Sequence, residues 1–172
     1  MMPMGPTTLE ELLDREAIRD CLMRYCRGID RIDPEMIESA YWPGAIDDHG
    51  NFRGTVAEFL TFAADRLREM DQTTHFIGNI LIELQGESAH VETYFDAYHR
   101  MSRADGSRYD LSTAGRYVDR FEKRGGEWRI ADRVVAWDWF REYPESADWE
   151  RGVLGLKFRS SRKPEDPIYN RT

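Results

Sequence analysis

The chain has 172 residues, 41% apolar and 33% charged, proportions of one globular domain rather than of a disordered or fibrous chain. Lys plus Arg number 24 and Asp plus Glu number 32, a net charge of -8, so the basic face that phosphate contacts need is missing and nucleic acid is not expected as a partner. No stretch approaches the ~20 apolar residues of a membrane span. The opening MMPMGPTTLE lacks the basic flank and apolar core of a secretion signal, so the expected location is cytoplasmic.

Thr8 to Ile29 reads as a helix. Thr8 is its cap, Glu11 completes a capping box, and Leu9, Leu12, Leu13, Ile18, Leu22, Tyr25 and Ile29 form one apolar face. Cys21 and Cys26 lie five apart on it, about 140° of rotation, so they diverge and read as two small buried hydrophobes rather than a disulfide. Gly28 loosens the end of the helix. Asp33 and Pro34 signal a second short helix, which turns Met36, Ile37, Ala40 and Tyr41 inward and stops at Trp42-Pro43-Gly44. Ala45 to Phe52 is polar, either a short strand or an extended loop. A third helix covers Thr55 to Met70.

The apolar period then changes to two. Four strands follow, His75–Leu84, Ala89–Ser102, Tyr109–Glu122 and Trp128–Phe140, separated by Gly86-Glu87, Asp105-Gly106 and Gly125-Gly126. Helices first and an antiparallel meander afterwards define an α+β class, with helices on one face of a curled sheet. The domain covers residues 1–143. Residues 144–172, with Pro144, Gly152, Gly155, Pro164 and Pro167, form an irregular tail lying over the domain or a neighbouring subunit.

Alternation sorts the strand residues into faces. His75, Ile77, Asn79 and Leu81 share one; Val91, Thr93, Phe95, Ala97 and His99 another; Arg129, Ala131, Arg133, Val135 and Trp137 a third. Aliphatic residues mixed with single His, Asn or Arg groups describe either a pocket lining or polar groups satisfied in the core and at strand ends. His49, His75, His90 and His99 fall in no metal-binding spacing, so neither a metal nor a cofactor is expected.

RGID at the end of the first helix and THFIGN at the start of the sheet resemble the SnoaL-like branch of the nuclear transport factor 2-like superfamily, whose fold is an α+β cone. The likeness runs from about Leu9 to Phe140 and is greatest to scytalone dehydratases, bile-acid 7-alpha-dehydratases and hexachlorocyclohexane dehydrochlorinases. It implies an Asp–His dyad at Asp30 and His75. It further implies that Tyr25, five residues before the Asp, and Arg133, five after Trp128, hold a substrate oxygen. His99 matches, with one gap, a second strand histidine of the scytalone enzyme. The chain departs from the pattern at His49, where two of these enzymes carry a pocket tyrosine, and at Gly115 and Tyr117, where the scytalone enzyme has serine and asparagine.

The chemistry of the dyad is that of a base. Imidazole has a reference pKa near ~6.5, and a carboxylate on one ring nitrogen fixes its tautomer and stabilises the imidazolium that forms. No Ser or Cys nucleophile is placed beside it in the pattern, so proton abstraction leading to elimination or isomerisation is the expected reaction. Asp30, at a helix C-terminus facing the negative dipole end, gains from a cationic partner. The expected protein is a cofactor-independent lyase, a dehydratase or related isomerase, acting on a small hydrophobic hydroxy-carbonyl or cyclic compound. Tyr25, Arg133, His99, His49 and Asn79 are its candidate binding residues. A homo-oligomer is expected from the aromatic strand face around Glu92, Tyr94 and Tyr98, and the resemblance favours a trimer, then a dimer. Two other readings stay open: a non-catalytic binding or oligomerisation domain of the same fold, and the structural small subunit of a ring-hydroxylating dioxygenase.

Overall fold

Helix α1 (Leu9–Arg31) begins where the Thr8 side chain accepts from the Glu11 amide at 3.1 Å, while the Glu11 carboxylate turns back to Thr7 rather than to Thr8. The computed structural model describes residues 5–144 and 160–171. Burial on α1 starts at Ile18 and continues through Cys21, Leu22, Tyr25, Cys26 and Ile29. The predicted apolar face is thus too long: Leu9, Leu12 and Leu13 in the first turns are exposed. Both cysteines are buried and free.

The helix ends on Ile32, in the left-handed region at φ 51, and the Asp33 amide closes back onto the Gly28 carbonyl at 2.8 Å. Asp33 then caps α2 (Pro34–Glu38). Gly28 does more than loosen the helix end. A Cβ there would lie 2.7 Å from Ile37 Cγ1 and 2.8 Å from the Ile37 amide nitrogen, so the missing side chain is what lets α2 fold against α1.

Strand β1 (Tyr41–Asp48) starts within the segment predicted to end α2, and β2 (Arg53–Thr55) returns beside it. Helix α3 (Val56–Arg68) carries a full capping box between Thr55 and Glu58 and buries Val56, Phe59, Ala63 and Leu67. The meander β3 (Met70–Gln85), β4 (Ser88–Ser102), β5 (Arg108–Arg124) and β6 (Glu127–Pro144) follows, each strand longer than its apolar run suggested. Gly125 and Gly126 both have positive φ, as a two-residue turn between Arg124 and Glu127 requires.

The sheet order is β2-β1-β6-β5-β4-β3, with β1 parallel to β6 and the other pairs antiparallel. It is a curved, open mixed sheet whose inner face takes the three helices, the α+β cone expected from the sequence.

Bulges decide which residues reach the inside. In β3 the register slips between Ile77 and Ile80. Thr73, His75 and Ile77 face inward before the slip and Ile80, Ile82 and Leu84 after it, while Phe76 and Leu81 point to solvent. Asn79 falls in the slip and is exposed. In β6 one extra residue at Ala131 has the same effect: Trp128 and Ile130 are buried upstream and Arg133 and Val135 downstream, with Arg129 turned out over Trp42.

Residues 145–159, including Gly152 and Gly155 of the predicted tail, lie outside the described residues. Residues 160–171 lie on the domain itself. Lys163 Nζ and the Tyr169 hydroxyl donate to the two Asp33 oxygens at 3.0 and 2.9 Å, and Arg31 pairs with Asp166 at 3.1 Å. Among the described residues no helix is long and apolar enough to cross a membrane.

Candidate active site

Asp30 occupies the last turn of α1 and His75 the inner face of β3, so the α1–β3 packing decides whether they meet. They do. His75 Nδ1 lies 2.7 Å from Asp30 Oδ1, and the His75 backbone amide donates to Asp30 Oδ2 at 3.0 Å. Both carboxylate oxygens are thus committed to one residue, which fixes the ring. With the Nδ1 proton directed to the carboxylate, Nε2 carries the lone pair.

That ring borders a cavity of about 350 Å³ lined by α1, α3 and the sheet. Phe59, Phe95, Met101, Leu111 and Trp137 supply apolar wall, and Tyr25, His75, His99 and Thr113 polar points, with His49, Asn51 and Arg66 also in the lining. A larger surface groove of about 570 Å³ runs past Asp20, Arg24 and Glu127 and contains no histidine. The smaller cavity has the composition of a ligand site, apolar with few convergent polar groups.

His99 is edge-on to His75, with ring centroids 5.7 Å apart, and its Nδ1 is 2.8 Å from Thr73 Oγ. Burial, reinforced by the nearby charges of His75 and Arg162, pushes its pKa down to about 3. It is a neutral imidazole at neutral pH, able to hydrogen-bond but not to act as a cationic acid.

Tyr25 lines the cavity edge, where burial raises its hydroxyl well above the ordinary tyrosine range. Arg133 does not join it there. It is completely buried, its guanidinium bidentate on Asp119 at 2.7 Å for both bonds and within 4.2 and 4.1 Å of the Tyr25 and Tyr117 ring centroids, which meet edge to face. Burial works against its charge, and the Asp119 carboxylate overrides this and holds Arg133 well above its usual value. The expected oxygen-holding arginine is therefore a support beneath the cavity floor, because Asp119 on the neighbouring strand already takes its fork. Asn79, displaced by the β3 bulge, also lies off the cavity.

His49 does reach the cavity. Its Nδ1 bonds Asp47, whose other oxygen accepts from the Tyr41 hydroxyl at 2.6 Å. Phe59 stacks on the ring at 4.8 Å and 18°. Thr113, on the row of His75 and Ala97 two strands across, has a buried hydroxyl without a hydrogen-bond partner. Sequence reading missed Thr113, Thr73, Asp47 and Asp119. The last two are long-range or bulge-dependent contacts, whereas Thr113 was open to the alternation argument applied to the other strands.

The SnoaL-like domain profile matches residues 10–134. No curated protein is significantly similar in sequence. Among solved structures, a candidate scytalone dehydratase from Novosphingobium aromaticivorans is similar at a TM-score of 0.70 and 22% identity, over 80% of this chain and 93% of that one. A hexachlorocyclohexane dehydrochlorinase (LinA Type2) reaches 0.72 at 20% identity, over 80% and 94%. The beta subunit of a candidate aromatic-ring-hydroxylating dioxygenase, also from N. aromaticivorans, reaches 0.60 at 22% identity, over 76% and 92%. At such identities the likeness is one of fold, and with the profile covering most of its length, the chain belongs to the SnoaL-like family, on the nuclear transport factor 2-like cone.

Proposed function

We propose that this protein is a cofactor-independent lyase, a dehydratase or related isomerase, that abstracts a proton from a small hydrophobic hydroxy-carbonyl or cyclic compound. The observation that carries the reading is the His75–Asp30 pair, with Nδ1 committed at 2.7 Å in the wall of an aromatic cavity. A lone pair at Nε2, in a cavity with a largely apolar lining, suits removal of a carbon-bound proton next to a carbonyl. Asp30 then stabilises the imidazolium. The Tyr25 and Thr113 hydroxyls are the neutral donors for the carbonyl oxygen as negative charge develops on it.

The experiment is turnover of cyclic hydroxy ketones by the protein and by His75→Gln. The variant is expected to lose about 10²–10⁴-fold in kcat with an unchanged fold. Equal activity in both proteins would favour a non-catalytic binding domain. The dioxygenase beta-subunit neighbour keeps a structural-subunit reading in view; a stable complex with a large iron-binding subunit, together with no lyase activity, would establish it. The outer sheet face supports a homo-oligomer, trimer before dimer, as the working assembly.

A further inference from the structure

The cavity has a second carboxylate–histidine pair, and the lyase reading gives it no task. Asp47 is fully buried and holds His49 Nδ1 through one oxygen and the Tyr41 hydroxyl through the other. The His49 ring is fixed by its stack on Phe59, and the indole of Trp137 donates to its carbonyl oxygen at 3.0 Å. As at His75, Nδ1 is taken, and Nε2 is the nitrogen left for the cavity. Asp47 and His75 stand on strands separated in the sheet by β6, β5 and β4, so the two pairs approach one cavity from different sides of the curved sheet.

We propose that Asp47–His49 is a second proton-transfer pair of this cavity, in which His49 protonates the departing oxygen while His75 removes the carbon-bound proton. The proposal rests on the lyase reading above and deepens it.

Two arguments support the assignment. The first is charge. The buried cluster under His49 holds one guanidinium, Arg133, and two carboxylates, Asp119 and Asp47, with Arg133 also within 3.4 Å of the Tyr41 hydroxyl. Arg133 is committed to Asp119, which leaves the buried Asp47 carboxylate to the Tyr41 hydroxyl and the His49 ring, and buried charge that is not balanced is costly. The second is elimination. Departing hydroxide needs a proton. His99 is held neutral by burial, and the Tyr25 hydroxyl is too weak an acid for the same reason. His49 remains.

The step balances. The α-carbon–hydrogen bond breaks and its proton passes to His75 Nε2. The released electron pair forms the carbon–carbon double bond as the β-carbon–oxygen bond breaks. The oxygen takes the Nε2 proton of His49 and leaves as water. His75 imidazolium and neutral His49 then exchange one proton through solvent, restoring both.

Two measurements test this on the intact protein. In nitrogen-15 NMR of the imidazoles at neutral pH, with His49→Gln as the assignment control, both His49 nitrogens are expected to carry protons. An unprotonated Nε2 overturns the proposal whatever the activity. In kinetics, β-hydroxytetralone, which releases fluorescent naphthol, is compared with its acetate ester, whose leaving group needs no proton. His49→Gln is expected to slow the hydroxy ketone by about 10²–10³-fold in kcat while eliminating acetate within about 3-fold of the parent rate; His75→Gln is expected to lose both. Equal slowing of both ketones by His49→Gln, or of neither, overturns the role of His49. Full activity of His75→Gln overturns the lyase reading instead. An inactive parent protein overturns cyclic hydroxy ketones as the substrates of the lyase reading.

Discussion

Asp30 holds His75 at two atoms at once, the ring nitrogen at 2.7 Å and the backbone amide at 3.0 Å. The second bond ties the carboxylate to the strand itself, so the geometry of the pair is set by the backbone of β3 as well as by the rotamer of His75. Asp30→Asn keeps the shape and offers an amide that favours the wrong imidazole tautomer. A drop of about 10²–10⁴-fold in kcat with KM little changed is expected in steady-state kinetics. A variant as active as the parent would remove Asp30 from the mechanism.

Arg133 is a structural cation. Arg133→Met leaves Asp119 buried without its partner and is expected to lower stability by about 3–5 kcal/mol, read from urea unfolding. Removing both charges in Arg133→Met/Asp119→Leu is expected to cost less than the single change. If Arg133→Met unfolds like the parent, the pair is not stabilising the floor of the cavity.

The depressed pKa of His99 makes stability depend on pH. The unfolded chain binds a proton near the reference value of ~6.5, whereas the folded protein resists it down to about 3. Between those values the unfolded state holds more protons, so stability falls as pH falls, by up to about 1.4 kcal/mol per unit. Above the unfolded pKa the effect vanishes. Urea midpoints measured between neutral and mildly acidic pH are expected to fall more steeply for the parent than for His99→Gln; parallel curves would contradict the buried neutral state.

Gly28→Ala places a methyl 2.7 Å from Ile37 Cγ1 and 2.8 Å from the Ile37 nitrogen. The expected loss is about 1–3 kcal/mol, measured by denaturant unfolding. Trimming Ile37 to Ala is expected to relieve only part of it, because the second contact is with backbone. Complete relief would show that the α1–α2 approach is governed by side chains alone.

The outer face of the sheet carries Leu81, Val118 and Val134 on one row with Glu92, and Tyr94 and Phe76 beside it, all but Glu92 large and exposed. A monomer would leave this surface wet. Light scattering is expected to give a multiple of the 20.2 kDa chain mass, and Val134→Glu to shift it toward the monomer. A parent protein running as a monomer at micromolar concentration refutes the assembly.

Local signals were legible in the sequence where one contact decides the outcome. Thr8 and Asp33 cap helices as expected, Gly125-Gly126 turns a hairpin, and β4 alternates inward from Val91 to His99. Asp30 and His75 were legible through the family resemblance carried by RGID and THFIGN, and the structure sets Asp30 in the last turn of α1 and His75 inside β3. Asn79 and Arg129 were misplaced because one-residue bulges invert the alternation, and a bulge depends on pairing between strands rather than on the strand itself. Arg133 was misassigned for a related reason: Asp119 becomes its neighbour only through the β5–β6 register. Asp47 and His49 stand two apart in a polar stretch, and only the course of β1 beside β6 shows that the first is interior and the second faces the cavity.

The bonds to Asp33 also bear on the order in which the chain matures. This corner between α1 and α2 leaves the ribosome well before Lys163 and Tyr169, which satisfy its two carboxylate oxygens and lie 130 and 136 residues downstream. The sheet is arranged likewise, since β1 waits for β6 as its parallel partner. Contacts so distant along the chain carry the loop-closure entropy that slows folding. The helix bearing Asp30 therefore acquires its final setting only after synthesis has reached the C-terminal residues, and a nascent chain arrested before them carries the dyad without the corner that anchors it.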